Sequence, residues 1–364
     1  MGGICGRRSG VPGSGVAVAL VLLILAQPGS AADEDLDWIY VPFPIYSPET
    51  EWALTLSAIG AGRFGEAPTS SVASTLAWSQ RDQKRLSVDS VLYLEGGWRL
   101  EGRVALEEWP TDYFGLGNDT RIEDEEIYTA ETRELELDVR HRFGDHVWVG
   151  PRLVVRDHDL SDVEEDGLLV ADAPRGIDGG RVSGLGVVVS HDSRDDVLVP
   201  GRGAFVTLRS TQFSSSLGSE FSYRETVLDA RQFLPLRQDW VVALHQYLRQ
   251  TSGQPPFQEL SRLGNSRPPA RMRGHITGRF RDRDVALAQA ELRFPLPGRF
   301  SGRAFGGVGD VAPRLSDWST RDLKWTAGLG LRYRASEVER VNLRLDAAIS
   351  DDESAVYFAL LEAF

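Results

Sequence analysis

The sequence has almost no cysteine and, beyond its N-terminus, no long hydrophobic run. Its single cysteine is Cys5, so disulfide bonds and cysteine-ligated metals are excluded from the rest of the chain. No later apolar stretch approaches the roughly 20 residues that a helix needs to cross a bilayer, which excludes a helical membrane protein. The chain also lacks an excess of basic residues. Its formal net charge is −13, which argues against nucleic acid as a partner.

The N-terminus has the pattern of a secretory signal peptide. Arg7 and Arg8 precede an apolar run of eleven residues at 16–26, and small residues follow at 29–32. The run is too short for a membrane-spanning helix, which needs about 20 residues. We therefore predict export and cleavage, with residues 1–32 as the signal peptide.

The remaining sequence alternates apolar and polar residues with a period of two. One segment has an apolar face of Trp98, Leu100, Gly102, Val104 and Leu106, and an opposite face of Arg99, Glu101, Arg103, Ala105 and Glu107. Such alternation is typical of β-strands. The segments are about 10 to 13 residues long, which is enough for a tilted strand to cross a bilayer.

We predict that the apolar faces point outward to lipid and that the ionic faces enclose a polar lumen. A soluble β-sandwich, or a soluble barrel with the apolar faces inward, is the alternative. The export signal, the strand lengths and the aromatic residues near predicted strand ends favour the membrane barrel. These aromatic residues are Trp52, Trp78, Trp109, Trp240, Trp325 and Tyr333.

The pattern yields fifteen strands after residue 51, and the stretch 38–46 is a candidate for a sixteenth, because bacterial barrels usually have an even number. The predicted fold class is all-β: a transmembrane antiparallel β-barrel of about 16 strands with a long lumen-facing loop. Residues 33–50 would be a short periplasmic segment or the first strand, and 51–364 the outer-membrane barrel.

The connections between predicted strands alternate in length. The short ones are 143–145, 235–238, 295–301 and 335–338, and the long ones are 109–125, 158–179, 252–281 and 312–322. Tight periplasmic turns alternating with extended outer loops are typical of a membrane barrel.

Two motifs lie between predicted strands. Asp192, Arg194, Asp195, Pro200 and Gly203 form a D-x-R-D pattern followed by P-x-x-G, and Phe114, Gly115, Gly117 and Asn118 lie in a run of the F-x-G-x-G-N type. With these motifs the sequence resembles the BamA and TamA superfamily of outer-membrane barrels, also called the bacterial surface antigen family. The resemblance covers most of the mature chain, and it implies the outer membrane of a Gram-negative-type bacterium.

The long segment before residue 282 contains Arg273 and Gly274, which resemble the R-G-F or R-G-Y tip of a long loop in that family. There the loop folds back into the lumen, and its arginine pairs with acids on the inner wall. The resemblance implies a pair between Arg273 and Glu291. Gly307 stands where the family often has an aspartate, and Asp310 is an alternative acid in a different register. An exposed basic loop is the alternative to this lock.

The chain ends with Phe358, Leu360 and Phe364 on one face of a predicted last strand, 354–364. This resembles the C-terminal signal that the barrel assembly machinery recognises, although Glu362 interrupts it. Family members that insert or translocate proteins receive clients through periplasmic POTRA repeats. No such repeat fits between the expected cleavage site and the first confident strand, so separate periplasmic proteins are candidate partners.

We predict no catalytic, cofactor-binding or metal site. His158, Asp159 and Asp162 could bind a divalent cation through oxygen atoms, but a solvated acidic loop is the simpler interpretation. Residues 191–193 have the types of a hydrolase triad, yet neighbouring strand positions point to opposite faces and cannot form the relay.

The hypothesis is therefore a non-enzymatic outer-membrane β-barrel, related to membrane-protein assembly and translocation barrels and acting in outer-membrane biogenesis or transport. A passive porin-like channel and a surface-exposed interaction protein are the alternatives. The expected partners are outer-membrane lipids, lipopolysaccharide and, for its own insertion, the barrel assembly machinery.

Overall fold

The computed structural model describes residues 37–62, 70–264, 269–334, 342–351 and 353–364. The predicted signal peptide lies outside these residues. Within them, sixteen antiparallel strands close into a barrel, and two short strands form a separate hairpin. The predicted fold class, a transmembrane antiparallel β-barrel of about 16 strands, is confirmed.

The barrel strands follow one another around the wall in chain order. They are β1 (Asp37–Ser47), β2 (Glu51–Gly62), β3 (Ser70–Ser79), β4 (Lys84–Leu94), β5 (Trp98–Tyr113), β6 (Glu126–Phe143), β7 (Val147–Ser161), β8 (Gly180–Asp192), β9 (Gly203–Phe213), β10 (Tyr223–Arg237), β11 (Trp240–Gly253), β14 (Asp284–Pro295), β15 (Phe300–Ala312), β16 (Lys324–Arg334), β17 (Asn342–Ser350) and β18 (Ser354–Leu360). The separate hairpin consists of β12 (Ser261–Leu263) and β13 (Phe280–Asp282).

The hairpin of β12 and β13 is absent from the sequence-based prediction, because three residues are too few to show a period of two. It lies in the segment 254–283 that connects β11 to β14, which pair directly in the barrel wall. β1 covers the stretch 38–46 and pairs with β2 along its whole length.

The alternation places apolar side chains outside and ionic side chains inside. On β17, Leu345 is 46% exposed, whereas the flanking Arg344 and Asp346 are 2% and 0% exposed. On β16, Leu329 is 67% exposed and Arg332 is 1% exposed. An apolar outer surface around an ionic interior is the arrangement of a membrane barrel, so the soluble alternative is excluded.

The connections form two rims. The long-loop rim contains the segments 114–125, 162–179, 254–283 and 313–323, and the short-turn rim contains 95–97, 144–146, 238–239 and 296–299. A short helix, α1 (Leu168–Asp172), lies in the second long loop. In the described ranges, no helix has the length and apolar character of a membrane span.

Several predicted aromatic positions are exposed on the outer surface, among them Trp52, Trp78 and Trp325. The prediction for Trp109 is wrong. Because β5 continues to Tyr113, Trp109 lies within the strand and lines the lumen. There the guanidinium of Arg85 lies 4.4 Å from its ring centroid.

The segment 254–283, which we call the lumen loop, folds back into the barrel. Its residues Leu263, Met272 and Phe280 are buried in one apolar cluster with wall residues that include Val285 and Val311. A cavity of about 820 Å³ remains beside the loop, lined mainly by β1–β7 and β9–β11. The lumen is therefore only partly filled.

The barrel closes between β1 and β18, at a junction that we call the seam. Its only register pair in the described ranges is Tyr46 with Phe358. Aromatic rings bridge it instead: the Phe43 and Phe358 centroids are 5.2 Å apart, and the Trp52 and Phe358 centroids 6.4 Å. Few backbone hydrogen bonds therefore hold the seam.

Candidate functional site

The lumen loop carries the fully buried side chain of Arg273. Its guanidinium donates to the carboxylates of Glu291 at 2.7 Å and Asp346 at 2.6 Å. It also lies 3.5 Å from the ring centroid of Phe305. Two carboxylates and a ring face offset the cost of desolvating this cation. Next to it, Gly274 has φ +117°, where a side chain would be strained.

Asp346 on β17 is the second acid, which the sequence analysis missed. The alternative acid, Asp310, instead accepts a hydrogen bond from the Asn118 amide at 3.0 Å. At Gly307, an added Cβ would lie 2.8 Å from the Cβ of Gln289 on β14 and 3.2 Å from the sulfur of Met272, so the glycine leaves room for the neighbouring strand and for the lumen loop. The second carboxylate of the Arg273 site therefore comes from β17, a strand much later in the chain than β14.

Arg293 lies two residues after Glu291 on the same face of β14. It donates to Glu291 at 3.1 Å, to the backbone carbonyl of Pro200 at 3.1 Å and to the backbone carbonyl of Phe364 at 2.7 Å. One arginine thus joins the Arg273 site, a rim turn and the C-terminal residues.

The D-x-R-D and P-x-x-G residues form that rim turn, 193–202, and its flanks. Arg194 forms an ion pair with Asp192 at 2.7 Å, and the Asp195 carboxylate accepts the Gly201 N–H at 2.9 Å. Gly203 has φ +96°, and a Cβ there would lie 2.1 Å from a backbone carbonyl oxygen. Only glycine fits this position. In this conformation, the turn places the Pro200 carbonyl within hydrogen-bond distance of Arg293.

β18 ends at Leu360, and residues 361–364 turn into the lumen through Leu361, which has φ +65°. The Glu362 carboxylate then accepts from Arg303 at 2.7 Å and from Arg332 at 3.2 Å. Burial alone would raise the pKa of Glu362, but the charges of Arg303 and Arg332 outweigh it and hold that pKa well below its usual range.

The prediction of a strand reaching residue 364 is therefore wrong beyond Leu360. Even-numbered positions of β18 point outward, as the 47% exposure of Val356 indicates, so a continued strand would point Glu362 into lipid at high cost. The inward turn gives this carboxylate its arginines and carries Phe364 into the lumen, where it is 6% exposed. Phe358 and Leu360 stay on the strand, and their role as an assembly signal remains a prediction.

A sequence model of the Omp85 superfamily domain matches residues 76–358. The chain belongs to the Omp85 superfamily. This confirms the resemblance to the BamA and TamA barrels at the level of the superfamily. A search of curated proteins found no match.

Solved structures share the fold of this Omp85 barrel. BamA from Haemophilus ducreyi lacking POTRA domains 1–3 matches with a TM-score of 0.64 and 14% identity, over 96% of this chain and 78% of that one. CdiB from Acinetobacter baumannii matches with a TM-score of 0.58 and 13% identity, over 91% and 60% of the two chains. CdiB from Escherichia coli has a TM-score of 0.58 and 14% identity, over 90% and 67%.

The F-x-G-x-G-N run of this Omp85 barrel contacts the lumen loop from the long-loop rim. The Gly117 N–H donates to the Arg281 carbonyl at 2.7 Å. Phe114 is buried, with the Arg279 guanidinium 5.1 Å from its ring centroid. Gly115, with φ +96°, allows the tight turn between them. Together with the Asn118 contact to β15, these contacts hold residues 279–281 of the lumen loop in place.

The remaining chemistry-bearing residues are distributed as follows. His158 lies 2.8 Å from Glu259 of the lumen loop, and no group of three or more His, Cys, Asp or Glu that could hold a metal occurs among the described residues. His191 and Ser193, two positions apart and therefore on the same face, lie within 3.2 Å. Asp192 pairs with Arg194 rather than with His191, so no triad forms.

Proposed function

We propose that this Omp85 barrel acts in outer-membrane biogenesis or transport, and that the seam is where its client meets the bilayer. The observation that carries the proposal is the single register pair between β1 and β18. In lipid, an unpaired backbone group costs on the order of several kcal/mol. An open strand edge therefore favours pairing with another strand, which is how a β-strand client would be captured.

The inward turn of the C-terminal residues explains why the seam has only one register pair in the described ranges. Partner numbers in an antiparallel pair run in opposite directions, so extending the pairing of Tyr46 with Phe358 would set 361–364 opposite 40–43. The chain instead leaves the wall at Leu361. Pro42 and Pro44 in β1 lack a backbone N–H, as suits an edge strand. The contacts of Glu362 and Phe364 in the lumen keep this edge free.

The proposal includes cleavage of residues 1–32 and residence in the outer membrane of a Gram-negative-type bacterium, among lipids and lipopolysaccharide. It also includes insertion of the chain by the barrel assembly machinery and delivery of clients by separate periplasmic proteins. It assigns no enzymatic step to the chain.

A disulfide across the seam tests the proposal. The only native cysteine is Cys5, so Tyr46→Cys with Phe358→Cys introduces one defined pair. Paired residues in an antiparallel ladder have Cα atoms roughly 4.5–5.5 Å apart, within the range for a disulfide. In liposomes, the reduced variant should accelerate folding of a small eight-stranded outer-membrane barrel, and oxidation should abolish the acceleration.

The matched control is Leu54→Cys with Trp78→Cys, a register pair across the well-formed junction of β2 and β3. Its oxidation should leave client folding unchanged. Equal client folding by the oxidised and reduced seam variants would remove the seam from the mechanism.

A passive porin-like channel is the second candidate, and the 820 Å³ cavity beside the lumen loop favours it. A channel would conduct steadily in planar bilayers, and a seam disulfide would not change that conductance because the lumen stays open. Conductance that appears only with the reduced seam variant would instead favour the client-capture function.

A further inference from the structure

The lumen cavity carries an excess of positive charge. Ten arginine side chains and eight carboxylate side chains are among the residues that line it. The whole chain, by contrast, has a formal net charge of −13. The acids of the chain are therefore concentrated elsewhere, and the cavity is locally basic.

Most arginines of the cavity have a carboxylate partner. Examples are the ion pairs Arg85–Glu107, Arg152–Asp138, Arg231–Asp229 and Arg249–Glu225. A guanidinium held in this way has its charge compensated inside the lumen. These residues therefore account for the structure of the wall and need no ligand.

Arg209 and Arg271 differ from the others. Within the described part of the chain, neither forms an ion pair, and the Nε of each is buried without a hydrogen-bond partner. Glu136 is close enough to Arg209 to interact with it electrostatically, but no hydrogen bond satisfies the Nε of either arginine. A buried donor of this kind is costly inside a membrane protein, where ionisable residues generally mark an ion or substrate site.

The strand register places Arg209 near Tyr247, the wall residue that Arg271 of the lumen loop contacts. Arg209 on β9 lies opposite Val227 on β10, and Asp229, two residues further on, lies opposite Tyr247 on β11. The Arg271 guanidinium lies 4.3 Å from the Tyr247 ring centroid. Both arginines therefore line the cavity on the side formed by β9, β10 and β11.

On the far side of the cavity, β2 and β3 contribute uncharged residues, and the turn before β2 contributes Glu49. β2 and β3 are half-way around the sixteen-strand barrel from β10 and β11, and their cavity-lining residues are Ala53, Thr55, Ser57, Thr75, Ala77, Trp78 and Ser79. The lumen loop adds a further cation, Arg262. Burial, and then the charge of Arg281, lowers the pKa of Arg262 to about 10.

We propose that the lumen cavity binds a phosphate-type oxyanion between Arg209 and Arg271. The planar donors of guanidinium match the oxygens of phosphate, and the anion would accept hydrogen bonds from the two buried Nε groups that have no partner. The phosphate belongs either to a free anion or to the headgroup of an anionic lipid. This site goes beyond the proposed client capture and does not require the seam to open.

The test is calorimetric titration of the full-length barrel, folded in detergent, with inorganic phosphate and separately with dihexanoyl phosphatidic acid. Wild-type protein should bind phosphate, and the double variant Arg209→Gln with Arg271→Gln should bind at least ten-fold more weakly. Phosphatidic acid binding at least ten-fold tighter than phosphate identifies a lipid headgroup as the source. Equal or weaker binding identifies a free anion.

The matched control is Arg202→Gln, which removes the same charge from a side chain that is 77% exposed on the short-turn rim. It should bind phosphate like the wild type. Arg209→Lys keeps the charge but loses the planar donors, so it should weaken binding several-fold even where the double variant does not fold. Oxidation of the seam variant should leave phosphate binding unchanged, which separates this site from the client-capture proposal.

Two results would overturn the site. One is wild-type protein that gives no phosphate binding. The other is a folded double variant, shown by its heat-dependent shift in SDS gels, that binds phosphate as tightly as the wild type.

Discussion

The junction of β5 and β6 and the junction of β1 and β18 are opposite extremes of the same barrel. Sixteen register pairs join β5 to β6, whereas one pair joins β1 to β18. Ion pairs also cross the first junction on its lumen face, such as Arg103 with Glu134 at 2.8 Å. At the second, the rings of Phe43 and Trp52 contact the ring of Phe358. A closed barrel can thus have one weakly paired junction, provided that its other strands are strongly paired.

The largest expected effect comes from the buried site that braces the strong wall. Arg273→Ala leaves Glu291 and Asp346 with less compensating charge, which should lower the free energy of unfolding by about 3–5 kcal/mol. The loss is measured as a lower temperature of the heat-dependent band shift in SDS gels. Glu291→Ala should give a similar loss, and the double variant much less than the sum. Additive losses would contradict the pairing.

A second prediction concerns the seam itself. Glu362→Leu removes the charged hydrogen bonds to Arg303 and Arg332, at a cost of about 1.5–3 kcal/mol. Leucine at this position can face lipid, so residues 361–364 should continue β18 and pair with β1. Hydrogen exchange of the Tyr40, Val41 and Phe43 amides should then slow.

The control for that variant is Glu131→Leu, which makes the same substitution at an exposed acid of β6. It should not alter hydrogen exchange in β1. Unchanged exchange of the β1 amides in Glu362→Leu would show that the C-terminal turn is not what keeps the edge free.

Aromatic truncation compares the two regions directly. Phe213 is 0% exposed, and its ring stacks on Tyr223 at 4.2 Å within the strong wall, so Phe213→Ala should cost about 3–5 kcal/mol. Phe43→Ala at the seam should cost only about 0.5–1.5 kcal/mol. Guanidinium unfolding of both variants measures this difference. A greater loss at Phe43 would mean that the seam is the stronger junction.

The smallest effect is expected on the outer surface. Lys84 and Glu108 form an exposed ion pair at 2.9 Å between β4 and β5. Such pairs add little because water and salt screen them. Lys84→Ala should leave the unfolding temperature unchanged within error in the same gel assay. A drop as large as that of Arg273→Ala would mean that surface pairs, rather than lumen pairs, brace the wall.

The strands and their orientation could be predicted from local pattern alone. The prediction of a strand at 126–142 differs by one residue from β6, and the buried Asp346 beside the exposed Leu345 follows from a period of two. Half of the Arg273 site was also accessible, because Glu291 lies on an ionic strand face in a chain with the matching loop motif. No pattern near Glu291 or Gly307 pointed to Asp346 as the second acid.

The local sequence pattern is sufficient to define the wall, because side chains alternate across a strand through covalent geometry, and in a bilayer the apolar face must meet lipid. What fills the lumen depends on the tertiary structure: Asp346 lies beside Arg273, Glu362 turns inward, and the Nε of Arg209 is buried without a hydrogen-bond partner. These outcomes depend on which charges are brought together when sixteen strands close around a loop. Residues distant in the chain then compensate one another, and alternation along one strand carries no information about its neighbours across the lumen.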